Sequence, residues 1–205
     1  CYFNPDPQRR NCDLVSRDPG TGFIDFVDTR LGNYGETRSS GYDAAVTYSH
    51  DFGSPGRLTL AVDVTYLENF EQDLAGFVTE EVGVYDLGVY PRLKTSISLR
   101  WDRGPLGIGV NVRSISGITE CADFSCGDPF ARENFSRHVS DNWTTDVLAS
   151  YRLETSLGKS TIRVGVNNVL DEAPAVIYDG FLADSDASTY DYMGRFFYVG
   201  LMHQY

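Results

Sequence analysis

The chain has 205 residues, 29 acidic against 17 basic, and a net charge of -12. That balance excludes a general nucleic-acid binder, which needs a basic face. No stretch approaches about 18 consecutive apolar residues, so no transmembrane helix is predicted. The opening CYFNPDPQRRNC has neither an initiator Met nor the apolar run of a signal peptide, and the expectation is that the true N-terminus lies upstream. Gly (20), Tyr (13) and Phe (12) are abundant beside Thr, Ser and Val, a β composition.

The four cysteines fall as two close pairs, Cys1/Cys12 and Cys121/Cys126, among Pro, Asp, Asn and Gly. Zinc ligation would need His neighbours or a C-x2-C spacing, and neither occurs. Two local disulfides, Cys1 with Cys12 and Cys121 with Cys126, are expected instead, and they imply an oxidising compartment.

The first predicted strand covers roughly 22–52 and is unusually long. It holds Gly32, Gly35 and Gly41, which point to a bulge or kink. Within it Tyr42, Ala44, Val46 and Tyr48 oppose Asp43, Ala45, Thr47 and Ser49. The second, 57–70, sets Leu58, Leu60, Val62, Val64 and Tyr66 against Thr59, Ala61, Asp63 and Thr65. The third, 89–102, sets Leu93, Thr95, Ile97, Leu99 and Trp101 against Lys94, Ser96, Ser98 and Arg100. In the fourth, 106–117, Leu106, Ile108, Val110 and Val112 oppose Gly107, Gly109, Asn111 and Arg113. In the fifth, 141–154, Trp143, Val147, Ala149, Tyr151 and Leu153 oppose Thr144, Asp146, Leu148, Ser150 and Arg152. In the sixth, 159–170, Ile162, Val164 and Val166 oppose Arg163, Gly165 and Asn167. The seventh, 194–205, carries Phe197, Val199, Leu201, His203 and Tyr205 on one face. Period two over such lengths is the signature of a strand.

Two features separate a membrane barrel from a soluble sandwich. Aromatics gather at the ends of the apolar face: Tyr48, Trp101, Tyr151 and Tyr205 at one end, Tyr66, Trp143 and Phe197 at the other. That is the pair of girdles that places amphipathic rings at headgroup level. Connections also alternate. Those after Phe52, Trp101 and Leu153 are short, and those over about 68–90, 115–140 and 171–193 are long, as periplasmic turns and outer loops are. The fold class expected is therefore all-β: a partial antiparallel transmembrane β-barrel of about seven C-terminal strands. Seven strands do not close in the usual even-numbered way, and an open edge is not tolerated in lipid. The chain reads as the C-terminal piece of a longer one.

The residues also carry a resemblance. Cys12, Arg17-Asp18, Thr21-Gly22, Ile24, Val27, Asn33-x-Gly35 and Ser40-Gly41-Tyr42-Asp43 resemble the barrel of TonB-dependent outer-membrane receptors. Asn167-Asn168-Val169-Leu170-Asp171 is similar to that family's N-N-L-F-D signature. Tyr192-Met193-Gly194-Arg195 and Phe197-Tyr198-Val199 resemble its last-strand motif. Leu170 stands where the family usually has Phe, and Tyr205 replaces the usual terminal Phe. The resemblance implies a barrel of about 22 strands with a plugged lumen. It implies import of a scarce nutrient (siderophore-iron, cobalamin, a glycan or similar) across the outer membrane of a Gram-negative bacterium. The partners it implies are the lipid bilayer, the protein's own N-terminal plug domain, the TonB complex and a small-molecule or glycan ligand. The plug and TonB box belong to the N-terminal part, absent here. No cofactor is implied.

Rival readings rest on the same residues. An outer-membrane enzyme would need a constellation, yet His50, His138 and His203 are scattered, and only His138 has an Asp (Asp141) and a Ser (Ser136) nearby. The lumen-facing Asp63, Lys94, Arg100, Arg113, Asp146, Arg152 and Arg163 would equally line a passive, porin-like channel. A soluble lipocalin-like carrier is disfavoured by the polar inner face. Asn167 and Asn168 are expected to hold a strand end rather than a ligand. The acidic loops (Glu68, Glu71, Asp73, Glu80, Glu81, Asp86, Asp179, Asp184, Asp186, Asp191) read as a solvated surface rather than a calcium site. Their aromatics, Phe70, Phe77, Tyr85, Tyr178, Phe181 and Tyr190, suit either ligand capture or loop packing.

Overall fold

The computed structural model describes residues 14–29, 35–74, 77–85, 88–121, 136–178, 180 and 183–205, apart from the side chains of Leu74 and Phe77. The described residues contain no helix. They form β1 (Val15–Arg17), β2 (Ile24–Val27), β3 (Gly35–Asp51), β4 (Arg57–Leu74), β5 (Phe77–Glu80), β6 (Leu93–Arg103), β7 (Leu106–Ile115), β8 (Ile118–Cys121), β9 (Ser136–Val139), β10 (Asn142–Thr155), β11 (Gly158–Asn167) and β12 (Phe196–Gln204). Two compact units emerge, residues 1–38 with 71–79, and residues 39–70 with 80–205.

In the first unit β1 and β2 pair as an antiparallel hairpin. Its turn is built on Asp18, whose Oδ1 accepts from the Gly20 and Thr21 amides at 2.9 and 2.7 Å and from Thr21 Oγ1 at 2.8 Å. This Asx-type turn is one that Asp favours because its short side chain reaches its own backbone two residues on. These bonds stabilise the ionised form and hold the Asp18 pKa below the usual carboxylate range.

The main sheet has the order β12-β11-β10-β7-β6-β4-β3, with β5 added to β4. Neighbours from β4 to β12 are antiparallel and follow chain order, giving an up-and-down meander. Its seven strands are those the alternation predicts. β3 and β12 are not paired to each other, so the sheet is open, a partial barrel wall. One expectation is corrected: 22–52 is not a single strand. β2 stops at Val27 and folds back on β1, and a separate strand starts at Gly35. Two predicted long links also hold strands of their own, the end of β4 with β5 and the β8–β9 hairpin.

The short connections follow their turn chemistry. Gly104 has φ 56 and precedes Pro105, the arrangement of a two-residue hairpin whose first position must be left-handed. In the β3–β4 turn Asp51 Oδ1 accepts the Gly53 amide, and Asp51 pairs with Arg57 at 3.2 Å. The Trp101 indole N–H donates to the Pro55 carbonyl at 2.9 Å, tying that turn to β6.

Register converts alternation into two continuous faces. Leu60, Leu99, Val110, Val147, Val166 and Phe197 are successive partners across six strands. Leu58, Trp101, Ile108, Ala149, Val164 and Val199 make a second such row. Among the described residues nothing covers this face: Val199 is 77% exposed, Leu201 73% and Val46 65%. An apolar surface this continuous far exceeds what a water-soluble monomer leaves open.

The buried core lies elsewhere. Among the described residues the buried apolar side chains are Val82, Tyr85, Val89, Ile118, Val139, Ile177 and Tyr190, all from segments linking the long-loop ends of the strands. Tyr85, Val89, Ile118, Val139, Ile177 and Tyr190 form one cluster, with Ile115 and Ala175 packed against it. Water is excluded from the loop cap and not from the sheet faces, the reverse of a soluble β-sandwich.

Candidate functional site

The polar face carries the chemistry. Asn111 Oδ1 accepts from Ser98 Oγ at 2.8 Å and Ser96 Oγ at 3.2 Å, joining β6 to β7. Arg113 pairs with Asp146 at 3.1 Å, joining β7 to β10. Arg100 holds Asp102 through Nε and Nη2 at 2.8 and 2.7 Å. Of the charged residues expected on this face, Asp63, Lys94, Arg152 and Arg163 make no side-chain hydrogen bond or ion pair among the described residues.

Two of those unpaired charges, Asp63 and Lys94, line one cleft of about 330 Å³ toward the long-loop end. Thr65, Ser96 and Thr144 of the polar face share its wall, and Thr189 and Asp191 border it from the loop above. A free carboxylate, a free ammonium and several hydroxyls in one cleft can orient a polar ligand by hydrogen bonds without covalent chemistry. Sequence reasoning marked Asp63 and Lys94 as lumen-facing. It placed Asp191 on a solvated acidic surface and did not mark Thr189, which nothing local distinguishes from other loop residues.

The loop cap above is fixed by its own acids. Asp186 accepts from the Val89 amide (3.2 Å), the Ser188 amide (2.9 Å), Ser188 Oγ (2.7 Å) and Thr189 Oγ1 (3.1 Å). Burial alone would raise the Asp186 pKa, but these bonds outweigh it and the net direction is down. Burial, reinforced by the Asp186 charge, pushes the Tyr190 hydroxyl up to about 12, and that hydroxyl has no hydrogen-bond partner among the described residues. Glu120 is 6% exposed at its side chain, binds Arg137 Nε at 2.6 Å and accepts the Tyr178 amide at 2.9 Å. Arg137 also lies 4.4 Å over the Tyr178 ring. The expectation of a merely solvated acidic surface is thus corrected for Glu81, which is buried, and for Asp186, which staples the loop. The loop aromatics Tyr85 and Tyr190 are packing residues, and Phe70 stacks on Tyr90 at 4.2 Å. Asp86, Asp179 and Phe181 lie outside the described residues. Among the described residues no group of three or more His, Cys, Asp or Glu is placed to hold a metal.

The two motif segments meet. Asn168 is fully buried with φ 48, a left-handed conformation that Asn tolerates. Its side chain donates to the Glu172 carbonyl and accepts the Glu172 amide, both at 2.8 Å, while its own amide donates to Asp146. Asp171, φ 60, accepts the Arg195 amide at 2.9 Å beside Gly194, φ 65. Asn167 ends β11 opposite Phe196, and Leu170 is exposed.

The remaining expected site residues are placed as follows. Tyr48, Tyr66, Trp143, Tyr151, Phe197 and Tyr205 are exposed, and Trp101 is half-buried. His50 lies between the Tyr48 and Phe52 rings. His203 meets Ser160 Oγ at 2.8 Å and the Tyr205 ring edge-on, both near the short-turn end of the apolar face. Asp141 spends Oδ1 on the Gly117 amide at 2.7 Å, apart from any role beside His138. Cys1, Cys12 and Cys126 lie outside the described residues, and Cys121 ends β8.

Comparison with known proteins bears on the same wall. Residues 9–169 match the family model described as TonB dependent receptor-like, beta-barrel. The match takes in Asn167-Asn168-Val169 and stops before Gly194 and Arg195. Neither curated proteins nor solved structures give a match to the chain. An open antiparallel wall with an uncovered apolar face, a polar face and a loop cap at one end is what a segment of such a barrel presents. The match covers well over half of the chain: it belongs to the TonB-dependent receptor family and is part of the β-barrel of an outer-membrane receptor or transporter.

Proposed function

We propose that the chain is the C-terminal portion of a receptor barrel in the outer membrane of a Gram-negative bacterium. The receptor binds a scarce nutrient (siderophore-iron, cobalamin, a glycan or similar) at the outer mouth and imports it with energy from TonB. The observation that carries this reading is the cleft at the long-loop end, where Asp63 and Lys94 stand unpaired beneath Thr189 and Asp191. Support for the membrane setting comes from the rows of uncovered aliphatics and from exposed Tyr48, Tyr66, Trp143, Tyr151, Phe197 and Tyr205 acting as interface anchors. The unclosed sheet supports a missing remainder of the barrel and a plug domain filling it. Cys121 is a bonded cysteine, which supports the pairing with Cys126 and an oxidising compartment. The role is binding and passage rather than covalent chemistry. It rests on the family and on His50 and His203 lying on the apolar face.

The test is uptake in cells carrying the intact receptor, using a panel of labelled ferric siderophores, cobalamin and oligosaccharides, with and without a protonophore. Saturable uptake abolished by the protonophore, and weakened by Asp63→Ala or Lys94→Ala, is the expected result. Non-saturable uptake that survives the protonophore identifies a passive channel and overturns the energised reading.

A further inference from the structure

The short-turn end of the polar wall holds a second cleft, of about 300 Å³, lined by Arg100, Ser150, Arg152, Thr161 and Arg163 among others. Three guanidiniums converge there on a chain with net charge -12. One is already neutralised, since Arg100 takes both oxygens of Asp102. This ion pair lies flat against the wall because residue 107 is glycine: a Cβ there would come within 2.8 Å of Asp102 Oδ1 and 2.9 Å of Arg100 Nη2. The other two have nothing. Arg152 stands opposite Thr161 and Arg163 opposite Ser150, so the two arginines are diagonal neighbours on adjacent strands with hydroxyls between them. Neither makes a side-chain hydrogen bond or ion pair among the described residues. Glu154, the acid nearest in sequence, pairs with Lys159 at 3.3 Å.

Like charges at diagonal positions of a sheet repel, and long side chains there are within reach of one another. The planar fork of Arg matches a carboxylate or phosphate through two parallel N–H···O bonds, which a hydrated ammonium does not.

We propose that Arg152 and Arg163, with Ser150 and Thr161, form a binding site for one anionic group, a carboxylate or a phosphate. Its source is either an acidic side chain of another segment of the same receptor or a free anion. The site sits at the opposite end of the wall from the nutrient cleft and does not rest on the import reading.

The experiment uses the intact receptor in detergent, with inorganic phosphate as probe. Wild type and the Arg152→Gln, Arg163→Gln, Arg152→Lys and Arg163→Lys variants are titrated calorimetrically. The two Lys variants are also treated with a carbodiimide, which joins a lysine amine to a carboxylate in salt-bridge contact with loss of water. Phosphate binding that weakens by about tenfold or more in each Gln variant identifies a free-anion site. Absence of phosphate binding together with a mapped cross-link from Lys at 152 or 163 to an acidic residue identifies an internal carboxylate. The Lys variants keep charge and reach, so their retained melting temperature controls for folding. Phosphate binding unchanged by the Gln substitutions, or neither binding nor a cross-link, overturns the proposal.

Discussion

Gly165 and Tyr198 are register partners on β11 and β12, and the phenol ring of Tyr198 lies across the space a side chain at 165 would fill. The ring therefore rests on bare backbone and roofs the polar face beside Asn111 and Asp146.

Replacing Gly165 by Ala must move that ring. Overpacking of this kind costs about 1–3 kcal/mol. Gly165→Ala is expected to lower the free energy of unfolding, read from denaturant titration, by that amount, and Tyr198→Ala in the same chain should recover most of it. Equal losses with and without Tyr198 would show that the ring is not the obstacle.

Asn168 joins wall to loop through both ends of its amide. Asn168→Ala removes two hydrogen bonds from a fully buried site and leaves the Glu172 amide unpaired, a loss of about 1–3 kcal/mol. Asn168→Asp keeps the acceptor and loses the donor. Hydrogen exchange at the amides of Glu172 and Arg195 is expected to accelerate in Ala more than in Asp, while amides of β6 stay unchanged.

The cap has two pH limits with opposite signs. Asp186 has its folded pKa lowered, so its contribution is present above the unfolded value, about 3.9, and is lost as pH falls through the folded one. Tyr190 has its folded pKa raised to about 12, so its contribution is intact below the unfolded value, about 10, and declines between the two. Proteolysis of loop 171–195 is expected to accelerate at both extremes. Asp186→Asn should abolish the acid limb alone, and Tyr190→Phe the alkaline limb alone.

The apolar face is tested by charge. Val164→Arg, in the middle of a row, is expected to cost about 2–4 kcal/mol when the intact receptor folds into lipid vesicles. Ala61→Arg, on the polar face of β4, should leave insertion yield within a factor of about two, by the tolerance of lumen positions. A reversed order of effects would assign the faces the other way.

Period-two alternation made the seven wall strands legible because membrane-facing and lumen-facing positions must alternate along each of them. β6, β7 and β10 fall within a few residues of where Leu93, Leu106 and Trp143 place them. The failure at 22–52 has a local cause: Asp18 and Thr21 build a turn that folds β2 onto β1, and two short strands carry too little alternation to stand apart. β8 and β9 were missed for the same reason, at four residues each. The cap core was not legible at all. Ile118, Ile177 and Tyr190 come from three distant segments, and only their packing makes them a core. The Asn168 clip was half legible, since its strand-end role could be expected but the buried bonds to Glu172 could not.

The bond from the Arg195 amide to Asp171 spans 24 residues and fastens the two feet of one long excursion side by side. The loop that leaves one foot returns to the other over this base. That base is not the loop's only anchorage: Ile177 and Tyr190 are packed in the cap core, Asp186 accepts the Val89 amide, and Thr189 and Asp191 border the cleft. A change in this loop is therefore felt in the cap core and at the cleft together.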